Sequence, residues 1–133
     1  MTAGIVRGQG YGLSSGLFSG FAVLMVIGIA GQFVLAGMSV FGAADAWGLH
    51  GLSGGLLSVP VLGMLGLALA VPALHRFRRD AGMLTVVYLV QVALAGLGSR
   101  FPMIGALHPL NALIMADVAM GMAKARFARA QGG

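Results

Sequence analysis

Four apolar runs, at residues 17–41, 46–72, 81–99 and 102–123, leave this chain few ways to fold. Each approaches or exceeds the roughly 20 helical residues that a hydrocarbon core requires. In lipid every backbone N–H and C=O must be satisfied internally, which admits only helices or closed barrels. The runs are continuous rather than alternating, so helices are expected. Composition agrees: 59% of residues are apolar, 8% are charged and mean hydropathy is +0.97. A soluble domain carries about a quarter charged residues. Eight Lys/Arg and three Asp/Glu cannot coat a water-facing shell of 133 residues. The expectation is one all-α domain, an integral membrane protein with four transmembrane helices. The opening "MTAGIVRGQGYG" leads into a long apolar run that reads as an uncleaved first span, because a cleaved leader has a shorter apolar core ending at a small-residue site.

The punctuation between the runs is short. Asp45 is placed to cap the second helix, and Pro102 suits the first turn of the fourth. Pro60 predicts a kink inside the second helix; Pro109 predicts a kink in the fourth or its true start. "HRFRRDAG" (75–82) is the only strongly charged loop, and "KARFARAQGG" is a basic tail. Arg7, the group Arg76, Arg78 and Arg79, and the group Lys124, Arg126 and Arg129 fall on one side of the four spans; only Arg100 falls on the other. The positive-inside rule then puts both termini and the 75–80 loop in the cytoplasm. His75 reads as a solvated member of the basic loop.

Two segments repeat. "QFVLAGMSVFGAADAWGLHGL" (32–52) and "QVALAGLGSRFPMIGALHPL" (91–110) share Gln-x-x-Leu-Ala-Gly and, further on, a small residue, Leu and His. His50 and His108 are 58 residues apart, and Gln32 and Gln91 are 59 apart. Each copy is one helical hairpin, out through the membrane and back. An offset of two helices keeps the direction, so the copies (about 17–72 and 81–123, between tails 1–12 and 124–133) form a parallel repeat about an axis along the membrane normal. The expected fold is an up-down four-helix bundle of two hairpins, with helices two and four on one diagonal and one and three on the other. The histidines then face each other. By helical rise they lie roughly 8–9 Å below the outer helix ends, and the glutamines roughly 12–14 Å below. Ser53 and Asn111 follow the histidines at i+3, and Gly54 and Ala112 follow at i+4.

Ionisable residues inside spans are rare and usually face the bundle interior. A matched pair of imidazoles suits bis-histidine ligation of one b-type haem. Ser53, Asn111, Gln32 or Gln91 would accept from each histidine Nδ1–H, while Arg100 and Trp47 on the rim would meet the propionates. Three other readings stay open: a pocket for a quinone-like or small polar molecule, a bare metal site lacking the third ligand that zinc usually needs, and a purely structural polar layer. Without cysteine, the chain has no disulfide, thiolate zinc, iron–sulfur cluster or Cys-attached haem.

With its histidine in helix two and Leu-His-Pro-Leu-Asn-Ala (107–112) opening helix four, most of the chain resembles small four-helix bacterial membrane proteins of uncharacterised function. The histidines also resemble, more distantly, those of four-helix membrane cytochromes b. Such cytochromes often hold two haems on four histidines. Here only His50 and His108 qualify, so the resemblance implies one haem in the outer half and an electron-transfer or haem-sensing role. One such site cannot carry electrons across the membrane unaided.

Asp117 lies nine residues beyond His108, about half a turn from its face, and is expected outside the histidine pocket. Gly8, Gly12, Gly16 and Gly20 recur every four residues; from Gly12 onward they suit close helix packing, in a homo-oligomer or a larger complex. Gly51 and Gly55 form a further Gly-x-x-x-Gly pair. The nine methionines read as packing residues. No nucleophile–base–acid set and no nucleotide loop is present, so an enzyme is not supported.

Overall fold

A computed structural model of the chain describes the backbone of residues 2–130 and the side chains of residues 12–125. The side chains of Arg7, Arg126 and Arg129, and the surroundings of Gly8, lie outside the described residues. The elements run α1 (Thr2–Val40), α2 (Ala46–Leu56), α3 (Ser58–Ala70), a 3-10 helix (Pro72–Phe77), α4 (Arg78–Gly98), α5 (Pro102–Gly105) and α6 (Leu107–Ala130). Four spans follow: Gly12–Val40, Ala46–Ala70, Pro72–Gly98 and Pro102–Ala125, each long and apolar enough to cross a membrane. α1 covers the segment that the sequence assigns to a tail, so the glycines of residues 2–12 do not end the helix.

The spans pack as an up-down ring. The first touches the second and fourth, and the third touches the same two, leaving one/three and two/four as diagonals. α2 packs chiefly on α1, whereas α3, the second half of the same span, packs on both α1 and α4. One end of the bundle carries the 41–45 and 99–101 turns (the turn end); the other carries Arg76, Arg78, Arg79 and Lys124 (the basic end).

The prolines explain the breaks. Pro60 has no N–H for the carbonyl of Leu56, and its ring crowds that carbonyl. The second span breaks at Leu57, between α2 and α3. Pro109 likewise leaves the carbonyl of Gly105 without a donor, and the fourth span breaks at Ala106. Pro109 thus lies in the first turn of α6, while Pro102 starts α5. Val71 is extended before Pro72 (φ −104, ψ 113), as pre-proline sterics require.

Asp45 does not cap α2 with its side chain. Its backbone is already helical (φ −64, ψ −20), not in the extended conformation from which an N-cap side chain reaches back. The entry is made by tight backbone bonds instead, Ala46 N–H to Ala43 at 2.9 Å and Gly48 N–H to Asp45 at 3.1 Å. Gly42 supplies the left-handed turn residue (φ 109). The third span starts earlier than the apolar run, because Arg78 opens α4 with its side chain turned back. The guanidinium donates to the last carbonyls of α3, Ala68 at 3.3 Å and Leu69 at 3.1 Å, and lies 2.8 Å from His75 Nε2.

The core fills the basic-end half. Phe18, Ala22, Met25 and Ile29 on α1 recur at alternating steps of four and three, as do Leu57, Val61, Met64 and Ala68 on the second span. Leu74, Phe77, Ala81, Leu84 and Tyr88, with Met115, Val118, Ala119, Met122 and Ala123, complete it, and Phe18 stacks on Phe77 at 4.9 Å. Followed toward the turn end, the same stripes reach Gln32, His50, Gln91 and His108.

Candidate ligand site between the two hairpins

Where the apolar stripes end, the bundle axis opens into a cleft of about 250 Å³. Its lining comes from all four spans. The reason is local: the axis-facing positions above Ile29, Leu57, Tyr88 and Met115 carry Ala36, Gly54, Ala95 and Ala112 in place of large apolar groups.

Each histidine is held by the glutamine of its own hairpin. His50 Nδ1 lies 3.1 Å from the main-chain oxygen of Gln32, and His108 Nδ1 lies 3.1 Å from that of Gln91. A carbonyl can only accept, so Nδ1 carries a proton on both rings. Asn111 Nδ2 donates to Gln91 Oε1 at 2.7 Å and to the carbonyl of Val87 at 2.9 Å. The Gln91 amide nitrogen is thereby turned to His108 Nε2, at 3.1 Å. In the first hairpin the Gln32 amide meets Ser53 Oγ at 2.7 Å; oriented with its oxygen toward Ser53 and toward Gly54 N–H (3.0 Å), it places its nitrogen 3.0 Å from the His50 carbonyl and 3.3 Å from His50 Nε2.

These contacts correct one expectation. The acceptors for Nδ1–H are the backbone carbonyls of Gln32 and Gln91, not the side chains of Ser53, Asn111, Gln32 or Gln91. An axis-facing glutamine presents its own carbonyl to the adjacent helix, and the imidazole is short enough to reach it. Ser53 and Asn111 orient the glutamine amides instead.

The two imidazoles meet across the bundle with ring centroids 6.0 Å apart and planes inclined at 53°. Trp47 stands edge-on to His50 at 5.5 Å. Arg100 is exposed on the 99–101 turn and is not part of the cleft wall, so among the described residues it joins no rim around the histidines. Asp117 is exposed, away from the cleft. Gly12, Gly16 and Gly20 line a shallow outward groove with Leu13, Leu17, Phe21 and Leu24, and pack on no neighbour.

The cleft is built twice over. Every lining residue except Gly55 has a lining counterpart at the offsets of the repeat: Ile29 with Tyr88, Gln32 with Gln91, Phe33 with Val92, Ala36 with Ala95, His50 with His108, Gly51 with Pro109, Gly54 with Ala112, and Leu57 with Met115. Tyr88, Phe33, Val92, Ala36 and Ala95 were not singled out from sequence. The offset of 59 applied to the whole stripe, rather than to its polar members, would have found them. Tyr88 closes the floor: its hydroxyl donates to the carbonyls of Gly54 (3.0 Å) and Gly55 (3.2 Å), next to the proline-induced break. Among the described residues no three His, Asp or Glu side chains converge as a metal set. The histidine pair alone offers ligating nitrogens here.

The fold and site define a helical bundle of four membrane-length spans whose hairpins share a polar, two-fold cleft. The model of a family of unknown function (DUF6220) matches residues 32–99. That is more than half of the chain, which therefore belongs to this family. Neither the curated proteins nor the solved structures yielded a match.

Proposed function

We propose that this chain is a b-type haem protein of the bacterial inner membrane, with His50 and His108 as the two axial ligands of one iron. What supports the reading is the spacing of the rings. An imidazole nitrogen binds a metal at about 2.0 Å, so two imidazoles on opposite sides of one metal hold their ring centroids roughly 6 Å apart when each Nε2 points at it; here the centroids are 6.0 Å apart, with His108 Nε2 beside a glutamine amide that a metal would displace. The donor set also fits, since with Nδ1–H held by a carbonyl each ring can offer Nε2 to a metal. The Gln32 and Gln91 carbonyls on Nδ1–H fix the ring orientation and raise ligand basicity. A metal bond at Nε2 replaces one amide hydrogen bond on each ring, a modest exchange of about 1 kcal/mol. Haem held by two protein ligands supplies reversible one-electron chemistry and leaves no open iron position for oxygen, which favours electron transfer or haem sensing over catalysis.

The positive-inside distribution of Arg and Lys puts the basic end and both termini in the cytoplasm. The site then lies in the outer half of the membrane, too far from the other face to serve as a complete transmembrane path. A redox partner on the outer side, or within a larger complex, follows from that placement.

A second reading is favoured by a separate observation. Among the described residues, every buried side-chain nitrogen and oxygen has a hydrogen-bond partner. The polar layer can therefore hold the hairpins together without any ligand, as in a structural or accessory subunit of a membrane complex, or in a pocket for a quinone-like molecule. The haem content of the purified protein, measured by alkaline pyridine extraction, decides between the readings. The haem reading expects about one haem per chain in wild type and in His75→Ala, and none in His50→Ala/His108→Ala. Haem-free wild type from haem-supplied cells leaves the second reading.

A further inference from the structure

The cleft is two-fold in its polar groups but not in its walls. Gln32 faces the second span, which it bonds. Phe33, about 100° further round the helix, faces the fourth. By the same register Val92 faces the second. On α2, Ser53 turns toward the first span, while Gly51 and Gly55 lie on the flank toward the third. Their counterparts Pro109 and Leu113 lie on the flank of α6 toward the first span. One side of the site is thus walled by Gly51, Gly55 and Val92, and the other by Pro109 and Phe33.

Both sides reach the surface: Gly51, Gly55 and Val92 on the first and Phe33 and Pro109 on the second are exposed and line the cleft, but the first carries the smaller side chains. A Cβ at either glycine would meet nothing within 4 Å. α2 leans on α1 here and leaves α4 to α3, nearer the basic end. The Tyr88 hydroxyl ties the second and third spans together at the floor. Further toward the basic end the axis is filled by Met25, Met64 and Leu84, each fully buried, so no route leads in from that end.

We infer that the gap between the second and third spans is a lateral mouth, through which a flat apolar ligand dissolved in the bilayer enters the histidine site. The inference rests on the haem reading, and haem partitions into lipid. The opposite flank carries the bulkier Phe33 and Pro109. Small residues at Gly51 and Gly55 leave room for passage beside the Tyr88 tether, since an added Cβ at either meets nothing within 4 Å.

The test measures loading. Apo-protein from haem-depleted cells is reconstituted in neutral phospholipid vesicles and mixed with vesicles carrying ferric haem b, and the Soret rise is followed. Gly51→Leu/Gly55→Leu is expected to slow uptake about tenfold, because entry now needs a conformational opening. Val92→Phe, which copies the closed flank, is expected to slow it in the same direction; it decides the matter if the double variant ends with less haem. Leu113→Ala, on the opposite flank and outside the cleft lining, is expected to load at the wild-type rate. Wild-type uptake unaffected by both blocking changes, or accelerated by Leu113→Ala, overturns the mouth and leaves the haem reading standing. A wild-type protein that takes up no haem overturns both.

Discussion

His108 Nδ1 and the main-chain oxygen of Gln91 lie 3.1 Å apart, and His50 stands in the same relation to Gln32 at the same distance. A side chain bonded to a backbone carbonyl keeps its partner whatever residue supplies that carbonyl. The glutamine side chains are therefore dispensable for the tautomer and matter for the second ring nitrogen. Gln91→Ala is expected to keep His108 in place while losing the bonds from Asn111 and to His108 Nε2. Interhelical hydrogen bonds in membranes contribute about 0.6–2 kcal/mol each, so thermal unfolding in detergent should show a loss of that order. The absorption maxima of a haem-loaded sample should stay where they are.

Tyr88 has no polar counterpart, since Ile29 occupies its place in the first hairpin. Its hydroxyl bonds the Gly54 and Gly55 carbonyls beside the break at Leu57. Tyr88→Phe keeps the ring and removes these bonds, which should cost about 0.5–1.5 kcal/mol. The expected signature is a lower unfolding midpoint with hydrogen exchange accelerated at Gly54–Leu57 and not at α6. Uniform exchange along both would contradict a local tether.

Glycines divide into those that are crowded and those that are not. The Cβ of an alanine at Gly98 would come within 2.9 Å of Gly105 Cα, and one at Gly105 within 2.8 Å of Gly98 Cα. Backbone cannot swing aside as a side chain can. Gly98→Ala and Gly105→Ala should each destabilise the second hairpin by more than about 1 kcal/mol. Gly55→Ala meets open space and should be neutral or stabilising by up to about 1 kcal/mol. Thermal unfolding of the three variants checks the order.

Asp117 is exposed on the outer face of α6, clear of the site. Asp117→Leu should leave haem content and spectrum at wild-type values. Removing a lone acid from a span lowers the cost of insertion, by up to about 3 kcal/mol if the residue sits at the membrane centre. Yield in the membrane fraction is expected to rise, and a loss of bound haem would place Asp117 in the site after all.

Much of this was legible in the sequence because lipid leaves few choices. Continuous apolar runs had to be helices. The matched offsets of His50/His108 and Gln32/Gln91 predicted hairpins whose histidines meet on a diagonal, and the rings do meet. Pro60 and Pro109 announced breaks, because a missing N–H acts through local chemistry alone. What could not be read depended on three-dimensional reach. That the Gln91 carbonyl rather than a side chain accepts from His108 follows from how close two particular helices come. Tyr88 looked like one more aromatic until the break at Leu57 brought two carbonyls above its hydroxyl. Arg100 belongs to the turn end by sequence position but stays out of the cleft wall, since charge places a residue at an interface and not on a face.

The central claim is that His50 and His108 ligate one iron. The reduced-minus-oxidised absorption spectrum of the detergent-purified protein, with dithionite as reductant, tests it most directly beside the His50→Ala/His108→Ala variant. The account predicts a Soret band and a sharpened α band on reduction, both absent from the variant. A colourless wild-type protein from haem-supplied cells, or a variant that keeps the same bands, would contradict it.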